Sequence, residues 1–287
     1  MKSIIDKSRF GPWALITGAS SGIGREFARQ VAASGINLVL VARRDTLLRE
    51  VGAEVTGAFG VEHRVFVADL SQEGFIKGLA AATADLDIGL VVSNAGTGQP
   101  GRFLENDRDD MVRLLRLNTQ AHLDVAYHFG RRLAARRRGG ILLVGALGAD
   151  KGVPYLANDG GAKAYVQSLG EALHVELKPL GVHVTVLPPG PTDTPVLVKF
   201  GLSAKSLPMK PMKAGQCVSE GLWALQKNRA LMIPGRLNRI MSALVPASVS
   251  RALVAKMFAK TLANKPAGPE SSYVTGANLT VDGGMNA

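Results

Sequence analysis

A glycine-rich segment near the start of the chain has the residue types and spacing to hold a phosphate. It reads Thr17-Gly18-Ala19-Ser20-Ser21-Gly22-Ile23-Gly24, and it follows the apolar run Ala14-Leu15-Ile16. Gly18 permits a tight turn, Gly22 lets the backbone approach a pyrophosphate, and Gly24 allows a helix to pack closely on a strand. Free N–H groups at the start of that helix favour negative charge. The segment predicts a dinucleotide site formed by Gly18, Ser20, Ser21, Gly22, Ile23 and Gly24.

The residues after the next apolar run indicate which dinucleotide is bound. Enzymes that use NAD usually place an acidic residue roughly 20 residues beyond the glycines, where it holds the ribose hydroxyls. Here the run Leu38-Val39-Leu40-Val41 is followed by Ala42-Arg43-Arg44. A guanidinium is suited to bidentate binding of a 2′-phosphate. Arg43 and Arg44 therefore predict that NADP(H) is preferred over NAD(H), with an ordinary basic helix cap as the alternative.

Short apolar runs alternate with helical patterns along most of the chain. Such runs are typical of parallel strands covered on both faces, and right-handed crossovers stack them into a doubly wound sheet. We expect an α/β chain with a Rossmann fold of about seven strands and helices on both faces, forming a single domain over 1–287. The runs that give six of the strands end near residues 16, 41, 67, 92, 144 and 186.

The C-terminal third follows a less regular pattern. Residues 191–230 are rich in Pro, Lys, Met and Gly, which predicts a flap over the site. An amphipathic stretch at 236–262 predicts a packed helix pair at a subunit interface, with a membrane-surface helix as the alternative. Two segments, 233–238 and 272–282, each resemble a final strand. We favour the second because its apolar and polar residues alternate and it contains β-branched residues.

Composition and charge narrow the functional classes. The net charge is +11, and Arg131, Arg132 and the run Arg136-Arg137-Arg138 are interpreted as the solvated, cationic end of a helix. With 5% aromatic residues, no stacking platform for nucleic acid is predicted. The lone Cys217 favours a reducing, cytoplasmic setting. No secretory signal, no apolar run long enough for integral membrane association and no metal-ligand spacing among the histidines is recognised.

Taken as a set, the motifs resemble the short-chain dehydrogenase/reductase superfamily over nearly the whole chain. They are the glycine segment, Asp69, Ser93-Asn94-Ala95-Gly96, Asn118, Lys163 and Pro189-Gly190-Pro191-Thr192-Asp193-Thr194. The resemblance implies that Asp69 and Leu70 adjoin the adenine and that Asn118 holds a water of a proton relay. It also implies a homodimer or homotetramer, in which helices ending near Arg138 and Lys178 pair. The residues implied to support the rest of the cofactor are Asn94, Ala95, Gly96, Lys163, Pro189, Gly190 and Thr192.

The resemblance fails at two catalytic positions. The family has a tyrosine four residues before the lysine and a serine about thirteen before that tyrosine, and this chain has Asp159 and Ala146 there. Asp159 and Lys163 are spaced for an ion pair on one helix face. The lysine and the helix N-terminus should both favour the ionised carboxylate, which is a poor acid.

Several interpretations of Asp159 stay open. It caps or salt-bridges its helix, with Asn158 as N-cap; or it serves as an altered acid or base; or the chain binds nucleotide without turnover. Tyr155, one turn earlier, either packs or substitutes as the acid. The sequence predicts an oxidoreductase that acts on a carbonyl or secondary alcohol of unknown identity. The alternatives are a sensor or interaction protein, and a non-redox lyase or isomerase that uses Asp159 and Lys163.

Overall fold

A parallel sheet of six strands forms the centre of the structure. The computed structural model describes residues 4–202 and 210–263. The strand order is β3-β2-β1-β4-β5-β6, with every neighbouring pair parallel, so the predicted doubly wound sheet is confirmed. The strands are β1 Trp13–Thr17, β2 Asn37–Ala42, β3 His63–Val67, β4 Ile88–Ser93, β5 Gly139–Val144 and β6 Val182–Leu187.

Helices cover both faces of this sheet. The first seven are α1 Lys7–Phe10, α2 Gly22–Ala32, α3 Asp45–Phe59, α4 Phe75–Ala82, α5 Arg108–Leu115, α6 Ala121–Ala135 and α7 Ala157–Leu177. Those that follow in the described residues are α8 Pro195–Lys199, α9 Ala214–Gln226, α10 Arg236–Leu244 and α11 Ala247–Ala263. A short parallel pair, β7 Thr192–Asp193 and β8 Met212–Lys213, lies between them.

Burial on both faces explains why these segments are strands. Every residue of β4 and of β5 is buried, as expected for apolar runs in a parallel sheet. One core cluster includes Phe27 of α2 and Leu222 of α9, and the other includes Phe129 of α6 and Val166 of α7. Because each face has its own core, the carboxyl ends of the strands are held at one edge of the sheet.

The predicted flap at 191–230 divides into two parts. Its second half is α9, whose residues Cys217, Val218 and Leu222 are fully buried against α2 and β6. In the first half, α8 has no buried residue, so among the described residues it is the part that is able to cover the site. Apolar side chains at helical spacing in Ala214–Gln226 explain why the second half packs into the core.

The edge of the sheet beyond β6 is partly occupied. The Val186 N–H donates to Ala230 O at 2.8 Å, and the Met232 N–H donates to Val186 O at 2.9 Å. Residues 230–232 thus run beside β6, close to the first of the two segments that resemble a final strand. The second, favoured segment at 272–282 lies outside the described residues and stays a prediction.

The basic cluster at the end of α6 is only partly solvated, which corrects the interpretation from sequence. Arg132 donates to Leu86 O at 2.6 Å, and Arg136 donates to Ile88 O at 2.7 Å and to Gly11 O at 3.1 Å. Arg136 also forms an ion pair with Asp87. These guanidinium groups hydrogen-bond to backbone carbonyls near the starts of β1 and β4. The periodicity of the helix does not reveal this structural role.

Two helices occupy the predicted stretch at 236–262 and are separated near Pro246. They are α10 and α11, and they meet at 117°. Among the described residues, no single helix is long and apolar enough to cross a membrane, although this bent pair passes a test of length and composition when its helices are taken together.

Candidate active site

The candidate site lies in the crevice where β1 and β4 end side by side. Strand order reverses here, and such switch points are where doubly wound sheets bind ligands. The Thr17 hydroxyl accepts hydrogen bonds from the Asn94 and Ala95 N–H groups, both at 2.9 Å. In return, Asn94 Nδ2 donates to Thr17 O at 3.0 Å. These three hydrogen bonds, which we term the latch, join Thr17 to Asn94 and Ala95 and fix the loop after β4 against the glycine-rich turn.

The turn needs glycine at positions where a side chain would collide with the backbone. Gly18 and Gly22 have φ values of +68° and +56°, in the left-handed region that glycine tolerates. A Cβ on Gly24 would lie 2.1 Å from Gly18 O, so this residue allows α2 to start directly against β1. No side chain caps the start of α2 at Ser21. These features fit the phosphates of a dinucleotide, whose charge suits a helix N-terminus.

Two of the predicted cofactor residues are basic and border this turn. Arg44 Nη2 donates to Ser20 Oγ at 2.9 Å and to Ser21 Oγ at 2.8 Å, so its guanidinium lies over the turn. Arg43 is exposed beside it. At the end of β3, Asp69 Oδ1 accepts from the Ser71 N–H at 3.0 Å and from its hydroxyl at 2.8 Å. Leu70 is buried in the same bend.

Asn118 is fully buried within the π-helical turn Arg116–Gln120 that joins α5 to α6. Its Oδ1 accepts from the Thr97 N–H at 3.0 Å, and its Nδ2 donates to Thr97 O at 2.7 Å. The side chain thus clamps the loop that follows the predicted cofactor residues Ala95 and Gly96. Its predicted role in holding a relay water stays a prediction.

Lys163 extends from α7 into the crevice. Its Nζ donates to Val144 O at 2.9 Å and would lie 3.2 Å from a Cβ built on Gly96. Burial lowers the pKa of Lys163 to about 8, although Asp159 acts in the opposite direction. The ammonium group is therefore held between the end of β5 and the predicted cofactor residues after β4.

Asp159, one helical turn earlier, is 9% exposed. Its Oδ2 accepts a hydrogen bond from the Gln99 N–H at 3.2 Å. Its Oδ1 is buried and has no hydrogen-bond partner in the described part of the chain. Burying a carboxylate oxygen without a hydrogen-bond donor costs free energy. Protonation of this oxygen, or a hydrogen bond from a ligand, would therefore be favourable.

The pKa of Asp159 is shifted in the direction opposite to the one expected from the sequence. Burial raises its pKa to about 6, and this outweighs the Gln99 N–H and Lys163, which both lower it. The expected ion pair is absent: in the described structure, the Asp159 carboxylate and the Lys163 ammonium do not approach within ion-pair distance. The prediction of a firmly ionised carboxylate neglected desolvation, which spacing along a helix does not report.

The capping interpretation of this helix start is also wrong. The N-cap of α7 is Leu156, without a side-chain cap. Asn158 lies inside the first turn, where its Nδ2 donates to Met111 O at 2.9 Å. The carboxylate of Asp159 turns towards Gln99 in the loop after β4 and not back along its own helix. Asp159 therefore belongs to the wall of the site.

Residues that the sequence analysis did not single out complete this wall. Lys199, at the end of α8, donates from Nζ to Thr97 Oγ1 at 2.5 Å. Burial lowers the pKa of Lys199, Arg43 lowers it further and Asp159 raises it. A Cβ on Gly98 would fall 2.2 Å from the Phe200 ring, so α8 packs tightly over the loop after β4. Thr97 and Gln99 could have been predicted as site residues, because they follow the Ser93–Gly96 motif closely. No sequence motif identifies Lys199.

The loops after β5 and β6 close the opposite side. The Leu147 N–H donates to Pro189 O at 2.9 Å, and Thr192 Oγ1 donates to Gly190 O at 2.9 Å. A Cβ on Gly190 would lie 3.0 Å from Asn238 Nδ2. The predicted residues Pro189, Gly190 and Thr192 are thus brought to the sheet edge that also carries Asn94 and Lys163.

A cleft of about 350 Å³ is lined in part by Asn158, which precedes Asp159, and by Gln99, whose N–H bonds the Asp159 carboxylate. Tyr155 lies on its wall with φ +62°, outside α7, and packs in a small apolar cluster with Phe200 and Phe258. This arrangement favours packing or substrate contact for Tyr155. The cleft is lined by Gln99, Gly101, Arg102, Phe103, Asn106, Met111, Pro154, Tyr155, Ala157, Asn158 and Ala255.

The histidine nearest to the site serves the core. His122 is fully buried, its Nδ1 lies 2.8 Å from Ser93 Oγ, and burial holds its pKa well below the usual value. Within residues 4–202 and 210–263, no group of three or more His, Cys, Asp or Glu side chains is arranged to hold a metal ion.

Comparison with known proteins relates this site to a large family. A family model described as short chain dehydrogenase matches residues 12–203. A 7beta-hydroxysteroid dehydrogenase from Collinsella aerofaciens is 30% identical, and the match spans 81% of this chain and 89% of that protein. A short-chain dehydrogenase from Sphingobium yanoikuyae, solved in complex with NADPH, is 28% identical with a TM-score of 0.73, covering 91% of this chain and 99% of that one.

A very-long-chain 3-oxoacyl-CoA reductase from Meyerozyma guilliermondii is 37% identical over 188 residues. That match covers 62% of this chain and 55% of the reductase. The chain thus spans about half the length of this relative.

The burial of Asp159 predicts how stability depends on pH. The folded-state pKa of about 6 exceeds the ordinary value of 3.8, so folding favours the protonated carboxyl. This contribution is fully present below pH 3.8 and is lost as the pH rises through 6. Asp159→Asn removes the cost of burying the charge. We expect it to be more stable than the wild type near pH 8, by up to about 3 kcal/mol, and nearly equal near pH 4.

Urea unfolding of both proteins at the two pH values measures the difference. Asp109→Asn, whose parent side chain is 84% exposed, is the matched control and should differ from the wild type equally at both. An Asp159→Asn protein that is less stable than the wild type near pH 8 would show that attraction to Lys163 exceeds desolvation.

Proposed function

Because the chain belongs to the short-chain dehydrogenase family, we propose that it is an NADP(H)-dependent oxidoreductase that interconverts a carbonyl group and a secondary alcohol. The observation that carries the proposal is a single crevice with two parts. A glycine cradle bordered by Arg44 lies on one side, and buried Asp159 lies beside a cleft on the other. The comparisons give no support to the alternatives of an inactive sensor or a lyase.

The cofactor would be held by residues from three strand ends. The turn from Gly18 to Gly24 would take the pyrophosphate, Arg43 and Arg44 the 2′-phosphate, and Lys163 the ribose next to the nicotinamide. When bound, the cofactor supplies or accepts the hydride. An NADPH complex of a relative with 28% identity supports NADP(H) as the cofactor.

The cofactor preference follows from the two arginines. We expect NADPH to bind at least about tenfold more tightly than NADH, because a charged bidentate contact is worth roughly 1.5–3 kcal/mol. Titration of both cofactors by fluorescence measures this ratio. The double variant Arg43→Ala with Arg44→Ala should bring the ratio close to one. Arg49→Ala, at an exposed position on helix α3 that follows the two arginines, should leave it unchanged. Equal affinities in the wild type would contradict the preference.

For the chemical step we propose that Asp159 takes the tyrosine's place as the acid. In reduction, hydride adds to the carbonyl carbon, the C=O π bond breaks, and its oxygen takes the proton of the Asp159 carboxyl. The products are the alcohol and the Asp159 carboxylate, which solvent reprotonates. A pKa of about 6 makes this carboxyl a competent acid near neutral pH. Ala146 supplies no hydroxyl to polarise the carbonyl.

The cleft supports a bulky, largely apolar ketone as the substrate class. Its walls include Phe103, Met111, Pro154 and Tyr155. The names of the relatives, a hydroxysteroid dehydrogenase and a very-long-chain 3-oxoacyl-CoA reductase, agree with this class. Gln99, on the same wall, has a buried Oε1 without a partner in the described residues, and this oxygen is available to a donor on the substrate.

If Asp159 is the acid, the rate of ketone reduction should depend on pH, and replacing Asp159 should lower that rate. Ketone reduction with NADPH should fall as the pH rises through about 6, because the donating form of Asp159 is lost. Asp159→Asn should reduce kcat by about 10²-fold or more while NADPH still binds. Tyr155→Phe is the matched control for a phenol acid and should retain most activity. Loss of activity in that variant together with an active Asp159→Asn would assign the proton to Tyr155.

Restoring a serine at position 146 and a tyrosine at position 159 tests whether these positions are equivalent to the family's catalytic serine and tyrosine. We expect Ala146→Ser with Asp159→Tyr to reduce reactive ketones faster than either single variant, because such groups act as a unit. Steady-state NADPH oxidation against steroid ketones, 3-oxoacyl thioesters and small ketones measures this. A double variant no faster than its slower parent would mean that the two positions do not face the reacting carbonyl.

We also propose that α6 and α7 pair across a two-fold axis in a homodimer or homotetramer. Both helices carry exposed apolar side chains, including Tyr127 at 65% and Val175 at 69% exposure. Tyr127→Glu with Val175→Glu should therefore yield monomers in light scattering at micromolar concentration, whereas Leu104→Glu, at an unrelated exposed position, should not. A monomeric wild type would contradict the proposal.

A further inference from the structure

Helix α10 is oriented with its apolar side towards solvent. Leu237, Ile240, Met241 and Leu244 follow a helical repeat, and they are 54%, 53%, 42% and 75% exposed. By contrast, the polar residue Asn238 is 7% exposed and donates to Pro234 O at 2.8 Å. An amphipathic helix that packs on a core normally buries its apolar side. The apolar side of α10 therefore lacks a covering partner in the described structure.

Helix α11 also exposes apolar side chains. Val249 and Leu253 are 48% and 56% exposed. Together with the four residues of α10 they form what we term the elbow surface. Its composition is one-sided: residues 236–263 contain no aspartate or glutamate, whereas Arg236, Arg251 and Lys256 are exposed on the same two helices.

Polar contacts fasten both helices to the body of the protein. Lys151 Nζ donates to Ser242 O at 2.7 Å and to Val245 O at 3.2 Å, and Arg251 Nη1 donates to Lys151 O at 2.9 Å. Arg239 forms an ion pair with Glu220 at 2.8 Å. These bonds fix the side of each helix that faces inwards, and so the elbow surface is held outwards. Large exposed apolar patches of this kind mark interaction sites.

We propose that the elbow surface binds to the surface of an anionic lipid bilayer. Helices with an apolar side and flanking cations lie in the headgroup region, where the apolar side chains enter the acyl boundary. Each Arg or Lys near an anionic leaflet adds attraction, and their long stems let the charges reach the headgroups. The exposed leucines and the cations Arg236 and Lys256 match this arrangement.

The charges argue against a second copy of the chain as the occupant. A two-fold contact places the same patch of both copies face to face, so it must be self-complementary. Here it would bring the cations Arg236 and Lys256 of both copies into one interface, with no acidic residue on either helix to neutralise them. An anionic bilayer supplies the missing opposite charge and the apolar volume together.

Co-sedimentation with vesicles tests the proposal on the full chain. We expect the wild type to bind vesicles of equal parts phosphatidylglycerol and phosphatidylcholine at least about tenfold more tightly than vesicles of phosphatidylcholine alone. Ile240→Ser with Leu244→Ser should weaken binding at least about tenfold, since apolar insertion contributes most of the affinity. These positions are already exposed, and circular dichroism verifies that the variant is folded.

A second variant and matched controls make the result decisive. Arg236→Glu with Lys256→Glu should abolish the preference for phosphatidylglycerol, whereas Lys77→Glu with Arg108→Glu, which alters net charge equally elsewhere, should retain it. Leu104→Ser, at a position that is 93% exposed, should bind like the wild type. The proposal is overturned if the wild type binds neither vesicle or if both elbow variants bind as it does. It is also overturned if sedimentation velocity without lipid shows that Ile240→Ser with Leu244→Ser dissociates a dimer.

Discussion

The latch between Thr17 and Asn94 is the contact on which the crevice depends. One buried hydroxyl accepts from two successive N–H groups, and this fixes the position of the loop after β4 relative to the end of β1. The same loop then continues to Thr97, which Asn118 clamps, and to Gln99, which bonds Asp159. The position of the carboxylate is thus set through the loop after β4 as well as through α7. A side chain on Gly18 would strike both Asn94 and Ala95, which is why the latch requires glycine there.

Burial away from water determines the pKa values of the ionisable groups in this site. Burial raises the pKa of Asp159 to about 6 and lowers that of Lys163 to about 8, which brings the two values far closer than in water. A carboxyl in this environment is able to donate a proton and to recover it, whereas a solvated aspartate would stay ionised.

Most of the fold, and the nucleotide side of the candidate site, could be predicted from the sequence. Apolar runs with helical patterns between them were enough for the parallel sheet, since burial on both faces leaves a direct trace in composition. The glycine turn and Arg44 were also recognisable, because their residue types are tied to backbone conformation and charge. The state of Asp159 was not, since it is buried beside Gly98 and Gln99, which are distant in sequence. Lys199 was missed for the same reason: only the folded flap brings it to Thr97.

Cations are spread around the crevice in a way that couples ligand binding to protonation. Lys163 and Lys199 both lower the pKa of Asp159, and Arg43 lowers that of Lys199. A phosphate bound beside Arg43 would offset the effect of Arg43 on Lys199 and so raise the pKa of Lys199. The charged ammonium of Lys199, which donates to Thr97 Oγ1, would then be favoured over the neutral amine. The nucleotide side of the crevice and the wall that carries Asp159 are therefore linked through Lys199.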